Sequence, residues 1–324
     1  MADSVWILTA FPTVLQTVHG LTQHSTKTMN DFRHLQGQND EWIAIQKTLP
    51  ASATPSNDEE IVKLRDSANS NREQAARVAM QSLAPKLLIR DYAIPARDGE
   101  EVHARTYMPR ASTYKTSPVY VHLHGGGFLF GTLNTEDATC ARIALDANVV
   151  VLHVCYRHTP EHRFPTAWND VDDAVEWLSI NAEAIGGDRE QVVIGGISAG
   201  AWLTASSLLS NAKTVGLHIV GQVLMIPCLV FHKCYTPQLA KLEDPCFSSY
   251  VQNRDAPILP MQRVKLFSDL LQISEPRDDD LRLNPGNASP AQVKHLPPTT
   301  FGIAGLDLLR DEGLLYAKLL HEAG

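Results

Sequence analysis

Short apolar segments and helical stripes alternate along this chain from about residue 86 onward, and this alternation constrains the fold more than any other feature. Segments typical of strands lie at 87–94, 102–107, 119–122, 149–154, 191–194, 220–226 and 299–303. Helical patterns lie at 137–146, 168–178, 202–209 and 308–320. Because parallel strands are joined by crossovers that are usually helical, this order predicts an α/β fold, with a mostly parallel central sheet and helices on both faces.

Two regions fall outside the alternation. Residues 1–85 are predicted to form an N-terminal helical cap segment, and the core is predicted to span 86–324. The first region begins with apolar residues at helical spacing, and a polar stretch at 52–71 separates them from the strands. Within the core, the pattern dissolves at about 227–283 into sequence rich in Pro, Asp and Cys, which predicts a cap insertion over one end of the sheet. The apolar positions at the start are Ile7, Leu8, Phe11, Val14, Leu15 and Val18.

Composition limits the classes of partner. A chain of 324 residues with 44% hydrophobic and 20% charged residues can bury a large core, and its net charge of −8 gives no field that attracts nucleic acid. A neutral or hydrophobic small-molecule ligand fits this charge better. No apolar run is long enough to span a membrane, and Asp3 stands where a signal peptide carries positive charge. Five cysteines without a C-x-x-C pair favour a reducing, cytoplasmic setting over a disulfide framework or zinc site.

A serine lies at the junction of a predicted strand and a predicted helix, in Gly196-Ile197-Ser198-Ala199-Gly200. In this G-x-S-x-G frame, Gly196 and Gly200 let the backbone turn sharply enough to raise the hydroxyl above the sheet. The motif therefore predicts Ser198 as a catalytic nucleophile.

A second glycine motif, His124-Gly125-Gly126-Gly127, follows the strand at 119–122. Bare backbone N–H groups of Gly125 and Gly126, with that of Ala199, are expected to form an oxyanion hole for a tetrahedral intermediate. His124 and Gly127 support the motif, and the alternative is a simple glycine turn.

Five motifs in order along the chain carry a family resemblance; they lie at 124–128, 156–162, 164–165, 196–200 and 307–313. In these motifs the chain resembles the hormone-sensitive-lipase branch of the α/β-hydrolases. The resemblance implies Asp307 as the acid that orients a histidine. It also implies a cap over an acyl-binding pocket and hydrolysis of carboxylic esters with short or medium acyl groups. It implies no cofactor.

The histidine of that family's triad follows a further strand, which comes after the helix predicted at 314–320. This sequence ends at Gly324, so three functions stay open. One is an esterase completed by a longer gene product, the second is a cyclase or lyase that does not need the base, and the third is a binding protein like the plant gibberellin receptor. His321, His124 and His232 are poor substitutes for the base by position.

Without that further strand, residues 299–303 are expected to form an open sheet edge, which offers a route to a homodimer. One more motif, His158-Thr159-Pro160-Glu161-His162, has the letters of a zinc site. Because Pro160 interrupts the helix that such a site needs, no metal is predicted there.

Overall fold

A central sheet of nine strands runs through the described part of the chain. The computed structural model describes residues 30–37, 39–48, 55, 57–111, 116–210 and 216–324, together with the backbone of two strands nearer the N terminus. The strands are β1 Trp6–Leu8, β2 Leu15–Thr17, β3 Leu87–Pro95, β4 Glu101–Pro109, β5 Ser117–Leu123, β6 Val150–Cys155, β7 Gly187–Ile197, β8 Ile219–Met225 and β9 Thr299–Gly302. Their order is β2-β1-β9-β8-β7-β5-β6-β4-β3, and all neighbours from β1 to β6 pair in parallel. The predicted α/β architecture is confirmed.

Helices cover this sheet. They are α1 Asp40–Gln46, α2 Asp58–Leu83, α3 Asp137–Ala147, α4 Thr166–Asn181, α5 Ala199–Ser210, α6 Thr236–Leu239, α7 Ser249–Gln252, α8 Met261–Leu270, α9 Pro290–Val293 and α10 Arg310–Ala323. Single 3-10 turns lie at Arg33–Leu35, Ala84–Lys86, Asn134–Glu136, Glu183–Ile185, His232–Cys234, Pro245–Phe247 and Pro285–Asn287. In the described ranges, no helix has both the length and the apolar character that crossing a bilayer requires.

The core forms on both faces of the parallel strands. Every residue of β6 from Val150 to Val154 is buried, so this strand is a continuous apolar run interrupted only by His153. Such a run is typical of a strand covered on both faces. On α4, Trp168, Val171 and Val175 form the stripe that packs into the same core, as the spacing predicts.

The N-terminal region differs from the prediction. The helix expected from the apolar spacing at the start of the chain is wrong at β1 and β2, because Trp6–Leu8 and Leu15–Thr17 are strands. A short apolar run fits either structure, and pairing with a sheet edge decides between them. The polar stretch at 52–71 lies between these strands and β3, as predicted, and its residues from Asp58 onward are helical. It enters α2, where the side chain of Asn57 accepts the N–H of Glu60 and caps the helix.

The open edge expected at 299–303 is also wrong. β1 pairs in parallel with β9, placing Trp6 opposite Thr300 and Leu8 opposite Gly302. The backbone groups of β9 are thus paired within the chain, and β2 is the outermost strand on this side. A homodimer through this edge would have to form at β2 and stays a prediction.

The predicted cap insertion contains short helices. Within 227–283 the chain forms α6, α7 and α8, none longer than 10 residues, and α9 follows the insertion before β9. Their shortness explains why no periodicity marked them in the sequence. The division into a cap segment at 1–85 and a core at 86–324 stays a prediction.

The pairing of β1 predicts a specific effect of proline at Ile7. This residue lies between partners on β2 and β9, so its N–H is part of one ladder or the other. Ile7→Pro removes that donor, and we expect a loss of unfolding free energy about 1 kcal/mol larger than that caused by Ile7→Ala. Hydrogen exchange at the Phe301 and Gly302 amides should accelerate only in the proline variant. Equal exchange in the two variants would contradict the pairing.

Candidate active site

Ser198 lies at the sharp turn between β7 and α5. Its φ of 54° is left-handed, a strained conformation for a residue with a side chain, and its side chain is half-buried. The turn depends on the glycines at both sides, since a Cβ on Gly200 would lie 2.0 Å from the Leu123 carbonyl oxygen and one on Gly196 would lie 2.3 Å from Gly200. The N–H of Ser198 donates to the carbonyl of Met225 at 2.8 Å, which fixes the turn against β8.

The glycine loop after β5 lies directly beside this turn. A Cβ on Gly125 would be 3.0 Å from the carbonyl oxygen of Ile197, the residue before the serine. Gly126 and Gly127 have φ of 131° and 62°, and a Cβ on Gly127 would overlap the ring of Phe267. Within the described residues, no acceptor takes the N–H groups of these three glycines.

The first amide of α5 belongs to the same region. α5 begins at Ala199, and the first N–H groups of a helix have no acceptor within the helix. Unpartnered donors from two elements thus lie near Ser198, and their role as an oxyanion hole stays a prediction.

Asp307 lies in the loop between β9 and α10. One carboxylate oxygen accepts the N–H of Leu309 at 3.1 Å, and no side chain of the described residues donates to this carboxylate. Burial raises the pKa of Asp307 to about 6, and the backbone hydrogen bonds from Leu309 and Leu308 only partly oppose this rise. The acid is therefore held without a cationic partner.

The acid loop is held by residues of the insertion that the sequence analysis missed. The Asn253 side chain donates to the Asp307 carbonyl at 2.8 Å, and the Ser249 hydroxyl donates to the Leu308 carbonyl at 2.7 Å. The Ser249 N–H also donates to the Asp311 carboxylate at 2.7 Å. These residues lie in a segment without periodicity, and no pattern in the sequence marks them.

The histidines weighed in the sequence do not reach Asp307. His124 is fully buried, its Nδ1 lies 2.8 Å from the Gly125 carbonyl oxygen, and burial lowers its pKa to about 4. His232 lies near Asp269, and His321 is exposed on the last turn of α10. Among the described residues, no imidazole contacts the acid.

The motif with the letters of a zinc site forms a loop, and its groups have other partners. Glu161 binds the Arg65 guanidinium at 2.8 Å, and His158 lies 3.3 Å from His124. Across the residues that the structure describes, no group of three or more His, Cys, Asp or Glu side chains is arranged to hold a metal ion.

The glycines of the serine turn predict a matched pair of variants. Gly200→Ala places its methyl group against the Leu123 carbonyl, a backbone atom that moves only with the sheet, whereas a Cβ on Gly221 in β8 meets nothing closer than 3.5 Å. We expect Gly200→Ala to lower the free energy of unfolding by about 2 kcal/mol or more and to abolish reactivity at Ser198. Gly221→Ala should change stability by less than about 1 kcal/mol. Urea unfolding of both variants measures the difference, and equal stabilities would contradict the close approach.

Comparisons with known proteins agree with this geometry. A family model for the alpha/beta hydrolase fold matches residues 120–324. Esterase LipI of Mycobacterium tuberculosis is 31% identical over 267 residues, which cover 81% of this chain and 78% of LipI. A hyperthermophilic esterase from the archaeon Pyrobaculum calidifontis is 29% identical with a TM-score of 0.72, over 88% of this chain and 86% of that one. Vibralactone cyclase is 28% identical with a TM-score of 0.77, over 92% of this chain and 86% of that one. The chain therefore belongs to the hormone-sensitive-lipase-like branch of the α/β-hydrolases and is a carboxylic ester hydrolase by ancestry.

Proposed function

We propose that this protein hydrolyses carboxylic esters with short or medium acyl groups through an acyl-enzyme on Ser198. The observation that carries the proposal is the strained serine turn beside a loop of unpartnered N–H groups. The serine oxygen attacks the ester carbonyl carbon, and its proton passes to a base. Collapse of the tetrahedral intermediate releases the alcohol, and water then hydrolyses the acyl-serine bond.

The proposed oxyanion hole consists of the N–H groups of Gly125, Gly126 and Ala199. The intermediate places a negative charge on the former carbonyl oxygen, and preorganised donors stabilise that charge without reorganising during the reaction. Each such donor lowers the barrier by about 3 kcal/mol in comparable enzymes. Glycine is needed here because side chains at 126 and 127 would meet Phe130 and Phe267.

We assign Asp307 the role of the acid that orients the base and stabilises its positive charge. A half-buried carboxylate without a cationic partner favours an imidazolium beside it, because pairing offsets the cost of desolvation. Since no imidazole of the described residues contacts Asp307, the base itself is left open. The proposed ligand is a neutral or hydrophobic small molecule, and the proposed location is the cytoplasm, where five free thiols stay reduced.

A second candidate is a cyclase, and the similarity to vibralactone cyclase favours it. The chemistry differs in one step. The acyl group on Ser198 is taken by a nucleophile within the same substrate, so a ring closes and no water is consumed. Mass spectrometry distinguishes the two reactions: the cyclic product has the mass of the hydrolysed acid less one water molecule.

The proposal predicts loss of function on removal of the hydroxyl of Ser198. We expect Ser198→Ala to abolish labelling by a fluorophosphonate and turnover of a short p-nitrophenyl ester, while Ser179→Ala on the exposed face of α4 behaves as wild type. Assays run with and without added imidazole, because an imidazole from solution can supply the base beside Asp307. Saturable ligand binding without Ser198-dependent labelling, in either condition, would contradict the hydrolase and support a binding protein.

Asp307 predicts a pH-dependent gain of stability on neutralisation. The folded-state pKa of about 6 exceeds the unfolded value of about 3.9, so the ionised group destabilises the fold above pH 6, and this cost disappears below pH 4. We expect Asp307→Asn to raise the free energy of unfolding by about 1–3 kcal/mol at pH 8 and to leave it unchanged near pH 4, with activity lost.

Asp91 provides a control of opposite sign. The Arg105 guanidinium binds this carboxylate and lowers its pKa, so Asp91→Asn should destabilise the protein at pH 8. Urea unfolding at both pH values measures the two variants. A destabilised Asp307→Asn at pH 8 would contradict the assignment of an unpaired acid.

A further inference from the structure

Two histidines form a hydrogen-bonded chain beneath the glycine loop. Nε2 of His158 lies 3.3 Å from Nε2 of His124, and Nδ1 of His124 lies 2.8 Å from the carbonyl oxygen of Gly125. The resemblance and the glycine motif assign no role to His158. The other buried histidines nearby do not touch the loop in this way, since His122 faces Glu136 and neither ring nitrogen of His153 has a partner in the described residues.

The acceptor at the end of this chain fixes both tautomers. A carbonyl oxygen only accepts, so Nδ1 of His124 must carry the hydrogen and donate it to Gly125. In a neutral ring the other nitrogen then accepts, so Nε2 of His158 must carry its own hydrogen and donate to His124. Burial keeps both rings neutral, because it lowers the pKa of His124 to about 4 and that of His158 well below its usual value.

The Gly125 carbonyl and the Gly126 N–H belong to the same peptide unit. In a trans peptide these two groups point in opposite directions. A hydrogen bond that holds the carbonyl toward His124 therefore holds the N–H of Gly126 toward the opposite side, and no described residue accepts that N–H.

We propose that His158 is a positioning residue for the oxyanion hole: its bond to Nε2 of His124 holds and polarises the ring that anchors the Gly125 carbonyl, and it thereby helps to aim the Gly126 N–H. This inference rests on the proposed function for its effect on catalysis. Without the donor at 158, Nε2 of His124 is a buried acceptor with no partner, and the ring loses the contact that holds it on that side. Nδ1–H also becomes a weaker donor, because a hydrogen bond at one ring nitrogen strengthens the bond at the other, so the Gly125 carbonyl is held less firmly.

Other groups hold the remaining sides of His124. Its ring stacks on Tyr156 with centroids 4.4 Å apart, and the Tyr156 hydroxyl donates to the His124 carbonyl at 2.7 Å. On another side, a Cβ on Gly131 would lie 2.2 Å from the ring, so the loop backbone closes over it. Thr159 holds the donor segment in place, since its N–H donates to the Phe128 carbonyl at 2.8 Å.

The test compares His158→Leu, which removes the donor, with His158→Gln, which keeps an N–H near Nε2. His103→Leu serves as the control, because His103 is exposed on β4. In the wild type, imidazole ¹⁵N NMR should report the Nδ1–H tautomer of His124 and the Nε2–H tautomer of His158. In His158→Leu we expect a shifted or broadened Gly126 amide signal and a kcat lowered about tenfold to a hundredfold, with KM within about threefold. His158→Gln should recover most of kcat, whereas His158→Leu should unfold at a somewhat lower temperature than the other variants, because it leaves a buried acceptor unpaired.

Two NMR results would overturn the inference. One is an Nε2–H tautomer of His124 in the wild type, and the other is a Gly126 amide signal that is the same in His158→Leu as in the wild type. The NMR arm does not need turnover, so a wild type without Ser198-dependent reactivity counts against the proposed function alone. Altered NMR signals with an unchanged kcat in an active enzyme would also overturn the positioning role.

Discussion

The close approach of α5 to the end of β5 is the contact on which the rest of the site depends. A Cβ on Gly200 would lie 2.0 Å from the Leu123 carbonyl oxygen, so helix and strand come together only because this position has no side chain. The approach brings the first amide of α5 beside the loop that follows β5, and it forces the left-handed backbone at Ser198. Unpartnered N–H groups from two elements and the proposed nucleophile at their junction, Ser198, thus lie together because positions 196 and 200 have no side chain.

The sequence predicts the parts of the fold where local pattern and tertiary packing agree. The strand β6 can be predicted because burial on both faces restricts it to apolar residues, and α4 can be predicted because one face of the helix is buried. The turn at Ser198 can be predicted because only glycine fits at positions 196 and 200 on either side of it. The start of the chain is different: its apolar residues fit helical spacing, and the parallel partner on β9, nearly 300 residues away, makes a strand of Trp6–Leu8 instead. No window of sequence contains that partner.

The site residues divide in the same way. Ser198, Asp307 and the glycine loop lie at the ends of strands, so chain order and motif spacing are enough to place them at one edge of the sheet. The contacts that orient them are not marked by any spacing. Asn253 and Ser249 hold the acid loop from a segment without periodicity, and His158 reaches the oxyanion loop from a turn whose letters resemble a metal motif. Single long-range hydrogen bonds of this kind leave no repeat in a sequence.

The acid loop and the glycine loop differ in the charge of the groups beside them. Neutral groups contact the glycine loop, whereas the acid loop contains a carboxylate that can ionise. The oxyanion loop rests on neutral imidazoles, which add no charge to compete with the negative oxygen that its N–H groups are proposed to bind. The carboxylate of Asp307 instead has no cationic partner among the described residues, and burial raises its pKa to about 6. A cation beside it would therefore stabilise its ionised form. The side chain of Asn253 donates to the backbone carbonyl of Asp307 and not to its carboxylate. The insertion therefore fixes the position of the acid without neutralising its charge. The insertion therefore holds the acid at the place where the proposed reaction would form a cation.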